Sequence, residues 1–195
     1  TEKPDCDLIV EEAKRAGVAI FRGSESDVLG RYYGAAKMLR ADNVLRVTSD
    51  CPLVDPAVCA QVLALGIEEN AAYACNNMPP TWPHGLDCEV FQFEWLERAD
   101  REATDPFDRE HVGPFIREHP EAKTVNLPSP EATMATHRWT LDTPADLAFF
   151  EALWPYLPTG PKAWDYRKAL AIVEAHREIA TINTGLDQAE RPTRA

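Results

Sequence analysis

The chain has 195 residues, and its 20 Lys and Arg against 32 Asp and Glu give a formal net charge of −12. With 45% hydrophobic and 27% charged residues, the composition predicts a globular protein with a sizeable core and argues against disorder, collagen and coiled coil. The acidic balance argues against a protein that holds nucleic acid by its phosphates, because that mode needs clustered Lys and Arg.

The five cysteines are an odd number without a repeated close pair, which fits neither a disulfide framework nor a zinc ribbon. We expect reduced, mostly buried thiols in a cytoplasmic protein. No stretch approaches the roughly 18 apolar residues of a membrane span, and charged side chains fill the first 15 residues, where a signal peptide would be apolar. The chain begins at Thr1 without a Met, so we expect that the natural start lies upstream.

The first half of the chain alternates helical periodicity with short apolar runs. Asp27 or Ser26 would cap the second helix, and Asp55 would cap the third, with Pro56 in its first turn. This alternation predicts an α/β domain with a mostly parallel sheet, whose ligands lie beyond the carboxyl ends of the strands. The predicted helices cover residues 7–16, 28–39 and 56–66, and the predicted strands cover 18–21, 44–48 and 72–75.

The second half begins with a Pro-rich segment, 76–85, which is a candidate substrate loop because it directly follows a strand. After it we predict strands at 86–93, 123–127 and 137–141 and helices at 94–102, 109–118, 144–153 and 166–178. The expected organisation is one α/β domain over residues 1–158, a helical appendage over 159–183 and a flexible tail over 184–195.

Two aspartates stand where predicted strands end. Asp50 follows the 44–48 strand and Asp142 follows the 137–141 strand. Each is also explained as an ordinary turn residue, but together they would meet the needs of magnesium, which takes one or two protein carboxylates besides phosphates and water. Asp55 is most simply a helix cap, and Asp146 is explained by the helix dipole.

Two further groups have ionisable side chains. Asp87 and Glu89 lie on one face of the 86–93 strand, where they could bind sugar hydroxyls or simply face solvent. Arg109, beside Glu110 and His111, could hold a substrate carboxylate or phosphate, or belong to a surface ion-pair cluster.

Other reaction classes lack their motifs. The glycines do not form a Walker or dinucleotide-binding pattern, and no Gly-x-Ser-x-Gly segment occurs. The five His are scattered without zinc-ligand spacing. These observations argue against hydride transfer, P-loop chemistry and a zinc site.

Five segments follow one another in a characteristic order. They are Phe21-Arg22-Gly23-Ser24, Asp50-Cys51-Pro52-Leu53-Val54-Asp55, Gly85-Leu86-Asp87-Cys88-Glu89-Val90-Phe91, Arg109-Glu110-His111-Val112 and Leu141-Asp142-Thr143-Pro144. As a set they resemble the cytidylyltransferases of the spore-coat polysaccharide (SpsF-like) type, which are related to the acylneuraminate and KDO cytidylyltransferases. Ser49 stands where that family usually has Gly before the second segment.

The resemblance implies a GT-A-like, Rossmann-related three-layer α/β/α sandwich. It implies transfer of CMP from CTP to a sugar, often an acidic one, with release of pyrophosphate, in bacterial surface polysaccharide synthesis. Asp50 and Asp142 would be the catalytic ligands of Mg²⁺, and the substrate-binding residues would be Arg22, Asp87, Glu89, Arg109 and His111. The expected partners are CTP and a sugar, with neither nucleic acid nor membrane, and the resemblance together with the aromatic segment 154–164 suggests a homodimer.

One departure from the family concerns its opening strand and loop, Ala-Arg-x-Gly-Ser-x-Arg-Leu-x-x-Lys, which binds the triphosphate. The sequence contains no such segment. We expect that the natural protein is longer and supplies it. The alternatives are a non-catalytic homologue that binds a nucleotide sugar or a partner, and a sugar nucleotidyltransferase that uses another base.

Overall fold

The computed structural model describes residues 1–160 and 165–185, which form a mixed α/β fold around a four-stranded sheet. The strand order is β1-β3-β2-β4. The strands are β1 (Asn43–Arg46), β2 (Tyr73–Cys75), β3 (Glu89–Gln92) and β4 (Thr124–Asn126).

The sheet is mixed, so the expectation of a mostly parallel sheet is wrong. β3 pairs antiparallel with both β1 and β2, and only the β2–β4 pairing is parallel. The reason lies in the connection between β2 and β3: residues 76–88 contain no helix, and two strands joined without a crossover helix pair antiparallel. As a result the start of β3 meets the carboxyl ends of its two neighbours.

The helices follow the predicted boundaries closely where a capping residue marks them. Asp27 accepts a hydrogen bond from the Gly30 amide, and Asp55 accepts from the second and third amides of its helix. Thr143 forms a reciprocal capping box with Asp146. The helices are α1 (Asp7–Ala16), α2 (Val28–Leu39), α3 (Pro56–Glu68), α4 (Phe93–Glu102), α5 (Pro106–His111), α6 (Gly113–Arg117), α7 (Pro144–Leu153), α8 (Tyr166–Ala175) and α9 (Arg177–Ala180), with short 3-10 turns at Pro4–Cys6, Ala132–Thr136 and Trp154–Tyr156.

Several predicted elements differ from the structure, and one of them is the helix 166–178, which is interrupted at His176 and forms α8 and α9. Residues 18–21 form no strand, and the predicted strand 137–141 is reduced to a single parallel bridge between His84 and Arg138. The predicted helix 109–118 is two short helices, because Val112 has a φ of 68° and interrupts the helical path. The Val112 side chain is fully buried among core residues, so burial compensates for a conformation that β-branched residues rarely adopt.

Apolar side chains cover both faces of the sheet. Tyr73 and Phe91 face a cluster with α2, α4 and α6, while Ala74 and Val90 face α3. A third cluster joins Leu53 and Val58 of the first half to α7 and α8. In addition, the Asp55 carboxylate accepts a hydrogen bond of 2.8 Å from the Tyr166 amide. The described part of the expected appendage therefore shares its core with the preceding domain.

Several expectations fall partly on residues outside the described ranges. These are the tail, of which only residues 184 and 185 are described, and the aromatic segment 154–164, of which 161–164 are not. Within that segment Trp154 and Tyr156 are exposed. All five cysteines are free, and four of them are buried, as predicted. Over the described ranges, no helix combines the length and the apolar character that crossing a membrane requires.

Candidate active site

A cavity of about 340 Å³ lies where the carboxyl ends of β1 and β2 meet the start of β3. The 76–85 loop and the α5–α6 pair close it from either side, and its wall has both acidic and basic groups. The polar side chains of the lining are Arg46, Thr48, Asp50, Asn77, His84, Asp87, Glu89, His111 and Arg117. Four of the seven predicted site residues, Asp50, Asp87, Glu89 and His111, are therefore brought together here.

Glu89 is anchored in the floor of this cavity. Its carboxylate pairs with the Arg46 guanidinium and accepts a hydrogen bond from the Tyr73 hydroxyl. Burial, reinforced by the Glu89 charge, raises the pKa of Tyr73, so the hydroxyl keeps its proton and remains a donor. Gly113 allows this arrangement, because a Cβ there would lie only 2.6 Å from Glu89 Oε1. The Glu89 carboxylate is thus fixed in place before any ligand binds.

Two buried polar atoms of the cavity wall lack a hydrogen-bond partner within the described part of the chain. They are Arg46 Nε, a donor, and Asn77 Oδ1, an acceptor. Buried polar groups are otherwise nearly always satisfied. This pair is suited to a polar ligand that offers both an acceptor and a donor.

Asp87 and the Pro-rich loop form another side of the cavity. Asp87 Oδ2 accepts from the Gly85 amide at 3.3 Å and lies 3.9 Å from His84 Nε2. Buried Asn76 holds the loop against the strand that follows, since its amide group bonds to the Leu86 carbonyl and the Cys88 amide. The candidate substrate loop is thereby positioned by its own side chains.

The second predicted aspartate, Asp142, is not part of the cavity lining but is next to Asp50. The Leu141 amide donates to the Asp50 carbonyl at 2.8 Å, and the Thr140 hydroxyl lies 3.2 Å from the same oxygen. Asp142 is exposed, while Asp50 is partly buried at the cavity edge. These contacts bring together the two chain segments that carry Asp50 and Asp142, which come from opposite halves of the sequence.

A buried ion network supports Asp142. Arg138 donates two hydrogen bonds to Asp146, at 2.9 and 2.8 Å, and a third of 3.1 Å to Asp142 Oδ2. Asn183 donates to Asp146 Oδ1 at 2.9 Å and to the Arg138 carbonyl at 3.0 Å. Burial alone would raise the pKa of Asp146, but the hydrogen bonds from Arg138, Asn183 and the neighbouring main chain hold it well below its usual range. Asp146 is therefore an ionised, fully buried partner of Arg138.

Two predicted site residues lie away from the cavity. Arg109 bonds to both oxygens of Asp27, at 2.8 and 2.7 Å, and to Asp100 at 2.9 Å. Arg22 pairs with Asp7 at 2.7 Å and also bonds to main-chain carbonyls near the N-terminus. Their guanidinium groups are engaged within the protein, and neither belongs to the cavity lining.

Several residues of the site were not predicted from the sequence. Arg46 could have been identified from the sequence, because a charged residue inside a short apolar strand needs a buried partner. The same reasoning applies to Arg138 in the predicted 137–141 strand. Nothing in the sequence marks Arg117, since an Arg on a short helix is indistinguishable from a surface residue. Its ion pair with Glu118 is loose, at 3.4 Å.

The fit of a magnesium ion follows from the donors present. In residues 1–160 and 165–185, no group of three or more His, Cys, Asp or Glu side chains converges as a metal cluster would. Magnesium does not require one, because it keeps waters and substrate phosphates among its six ligands. Asp50 and Asp142, adjacent and accessible to solvent, fit this mode of binding.

Cys51 is adjacent to Asp50 and lies close to its carboxylate, at 3.7 Å from Oδ1. Burial raises the pKa of this thiol to about 12. The thiol is therefore protonated at neutral pH and is unsuited to act as a nucleophile.

Two of the comparisons with known proteins name the same family. A family model described as cytidylyltransferase matches residues 1–179. An uncharacterized protein of Methanocaldococcus jannaschii is 32% identical over 190 residues, which are 96% of this chain and 76% of the relative. The solved structure of a cytidylyltransferase from Leptospira borgpetersenii superposes with a TM-score of 0.85 at 28% identity, and the match covers 100% of this chain and 79% of that one.

Proposed function

The chain belongs to the cytidylyltransferase family, and we propose that it transfers CMP from CTP to a hydroxyl of a sugar, with release of pyrophosphate. The observation that carries the proposal is the main-chain contact that places Asp142 next to Asp50, at the edge of a polar cavity beyond the strand ends. In open α/β sheets this edge is the usual place for ligands. Family membership indicates nucleotidyl transfer, and the choice of CTP and of a sugar is part of the proposal.

The two aspartates would hold a magnesium ion. Attack on the α-phosphate develops charge on the non-bridging and leaving oxygens, and the bound ion supplies the positive charge that offsets it. The protein itself orients the two carboxylates through the main-chain contact between Leu141 and Asp50. Arg138 donates a hydrogen bond to Asp142 Oδ2 and so helps to hold this orientation.

The acceptor would bind against the remaining polar wall. Asp87 and His111 can bond sugar hydroxyls, while Glu89 is held by Arg46 and Tyr73 and keeps the floor rigid. Of the two arginines in this wall, Arg46 is paired with Glu89, while Arg117 has only a 3.4 Å ion pair with Glu118 among the described residues, which favours an acceptor that has an acidic group. In this assignment Arg109 acts from outside the cavity, by positioning the α5 helix that contains His111.

The finer expectations extend this proposal. They are the SpsF-like, acidic-sugar specificity, the role in bacterial surface polysaccharide synthesis, the GT-A-like three-layer arrangement and the possible homodimer. The free, mostly buried cysteines favour the cytoplasm as the site of action.

The experiment is a pyrophosphate-release assay on the full gene product with each of the four nucleoside triphosphates, Mg²⁺ and a panel of neutral and acidic sugars. We expect release with CTP, and we expect Asp50→Asn to lower the rate by roughly a hundredfold or more, because a metal ligand contributes several kcal/mol. Asp42→Asn is the matched control, since Asp42 is exposed and is not part of the cavity lining. Binding of CTP without release for any sugar would instead indicate a non-catalytic binding protein, and faster release with another nucleotide would correct the base.

A further inference from the structure

The Asp142 carboxylate is held through one of its two oxygens. Oδ2 accepts hydrogen bonds from Arg138 Nη2 and from the Thr140 hydroxyl, both at 3.1 Å. A carboxylate oxygen has about two lone-pair positions, and both positions on Oδ2 face a donor. Oδ1 is then the oxygen that Asp142 can present to a cation.

Thr140 lies between the two aspartates. Its side chain is buried, and its hydroxyl lies 3.2 Å from the Asp50 carbonyl as well as 3.1 Å from Asp142 Oδ2. The single hydroxyl proton is shared between these two acceptors. Thr140 therefore ties the orientation of one carboxylate to the main chain that carries the other.

Arg138 orients Asp142 without cancelling its charge. Two of its hydrogen bonds go to Asp146, which is fully buried and ionised, so the Arg138 charge is already balanced. Asn183 completes the coordination of Asp146 with a neutral donor. The negative charge of Asp142 is thus left to attract a cation.

We propose that Thr140 and Arg138 are positioning residues that make Asp142 a single-oxygen ligand and thereby favour Mg²⁺ over Ca²⁺ at this site. Mg²⁺ demands near-octahedral geometry with one oxygen from each carboxylate, whereas Ca²⁺ takes six to eight oxygens and gains from bidentate carboxylates. An Oδ2 that already faces two donors is less available to Ca²⁺ as a second oxygen ligand. The inference rests on the proposed function in assigning Asp142 to the cation.

The test is a matched pair of substitutions at one position. Thr140→Val keeps the shape of the side chain and removes the hydroxyl, while Thr140→Ser keeps the hydroxyl. Mn²⁺ is the probe, and its binding is measured from the electron paramagnetic resonance signal of the free ion. Mg²⁺ and Ca²⁺ are then added as competitors in a second titration. Urea unfolding of each variant verifies that it is folded.

We expect Thr140→Val to weaken Mn²⁺ binding roughly tenfold, the usual scale for loss of a residue that orients a metal ligand, and to narrow the preference for Mg²⁺ over Ca²⁺. Thr140→Ser should stay within about twofold of the wild type, since it keeps the donor. The inference would be overturned if Thr140→Val bound Mn²⁺ as tightly as Thr140→Ser does and if Mg²⁺ and Ca²⁺ displaced Mn²⁺ equally well from the two variants. If Thr140→Val does not fold, Thr140→Ala removes the same hydroxyl without a methyl group against Asp142.

Asp142→Asn separates this inference from the proposed function. Unchanged Mn²⁺ binding in Asp142→Asn would refute the metal assignment itself. Loss of binding in Asp142→Asn together with normal binding in Thr140→Val would leave the proposed function standing and reject only the positioning role.

Discussion

Two arginines of this molecule are each held between two aspartates, yet they serve different parts of it. Arg109 forms a two-bond fork with Asp27 and also reaches Asp100, which ties together α2, α4 and α5. Arg138 forms the same kind of fork with Asp146 and reaches Asp142. The chemistry of the two networks is alike, and only the second one touches a residue of the candidate site.

The networks differ in burial. Asp146 is completely buried and the Arg138 side chain is only 6% exposed, whereas Asp27 and Arg109 are 37% and 21% exposed. A buried charge depends on its partner, because water cannot replace that partner. The contribution of an Arg–Asp pair to stability and function therefore depends on how deeply the pair is buried and on which third group it contacts.

The largest expected effect comes from breaking the buried network. Arg138→Met leaves the Asp146 carboxylate in the core without a counter-charge, and we expect a loss of about 3–5 kcal/mol in the free energy of unfolding. Urea unfolding measures it. A loss below 1 kcal/mol would mean that solvent reaches Asp146 and that the two networks are equivalent.

A smaller effect is expected from the same change in the other network. Arg109→Met should lower the free energy of unfolding by about 1–2 kcal/mol, since its partners are partly solvated and water replaces part of the lost interaction. Mn²⁺ binding to this variant should equal that of the wild type. A weakened Mn²⁺ affinity in Arg109→Met would show that this network also supports the metal-binding aspartates.

The smallest effect is the difference in acid sensitivity. The Arg109 hydrogen bond lowers the pKa of Asp27, and the donors around Asp146, led by Arg138, outweigh burial and lower the pKa of Asp146 further. A folded-state pKa below the unfolded value of about 3.9 stabilises the protein above that pH, and the stabilisation is lost as the pH falls below it.

Unfolding free energies measured from about pH 5 down to about pH 2.5 give the slope with pH. Asp146→Asn should flatten this slope more than Asp27→Asn does, because Asp146 is the more buried and more strongly bonded of the two. Equal slopes in the two variants would contradict the difference in depth.

Local features of the sequence predicted much of the fold. Asp27, Asp55 and Thr143 cap helices as expected, because a cap depends only on the following two or three amides. The direction of β3 was missed although its cause was predicted. The Pro-rich segment before it was expected to be a loop, and a strand that follows without a crossover helix pairs antiparallel.

The candidate site was likewise predictable only in part from the sequence. The positions of Asp50 and Asp142 after predicted strands were readable from the sequence, and the fold places them side by side. The role of Asp146 was not readable, because its partner Asn183 is 37 residues away. Arg109 was likewise assigned to substrate while its main partner, Asp27, lies 82 residues away in the chain.

The sequence by itself determined the α/β class, the capped helices, the acidic character and the family, because these depend on composition, short spacings and segment order. The tertiary structure alone decided which charged groups are neutralised inside the protein and which face the cavity. Burial and long-range pairing set the energy of a charge, and neither is a property of neighbouring residues in the chain. That is why Arg46, Arg117 and Thr140 enter the candidate site and Arg109 leaves it.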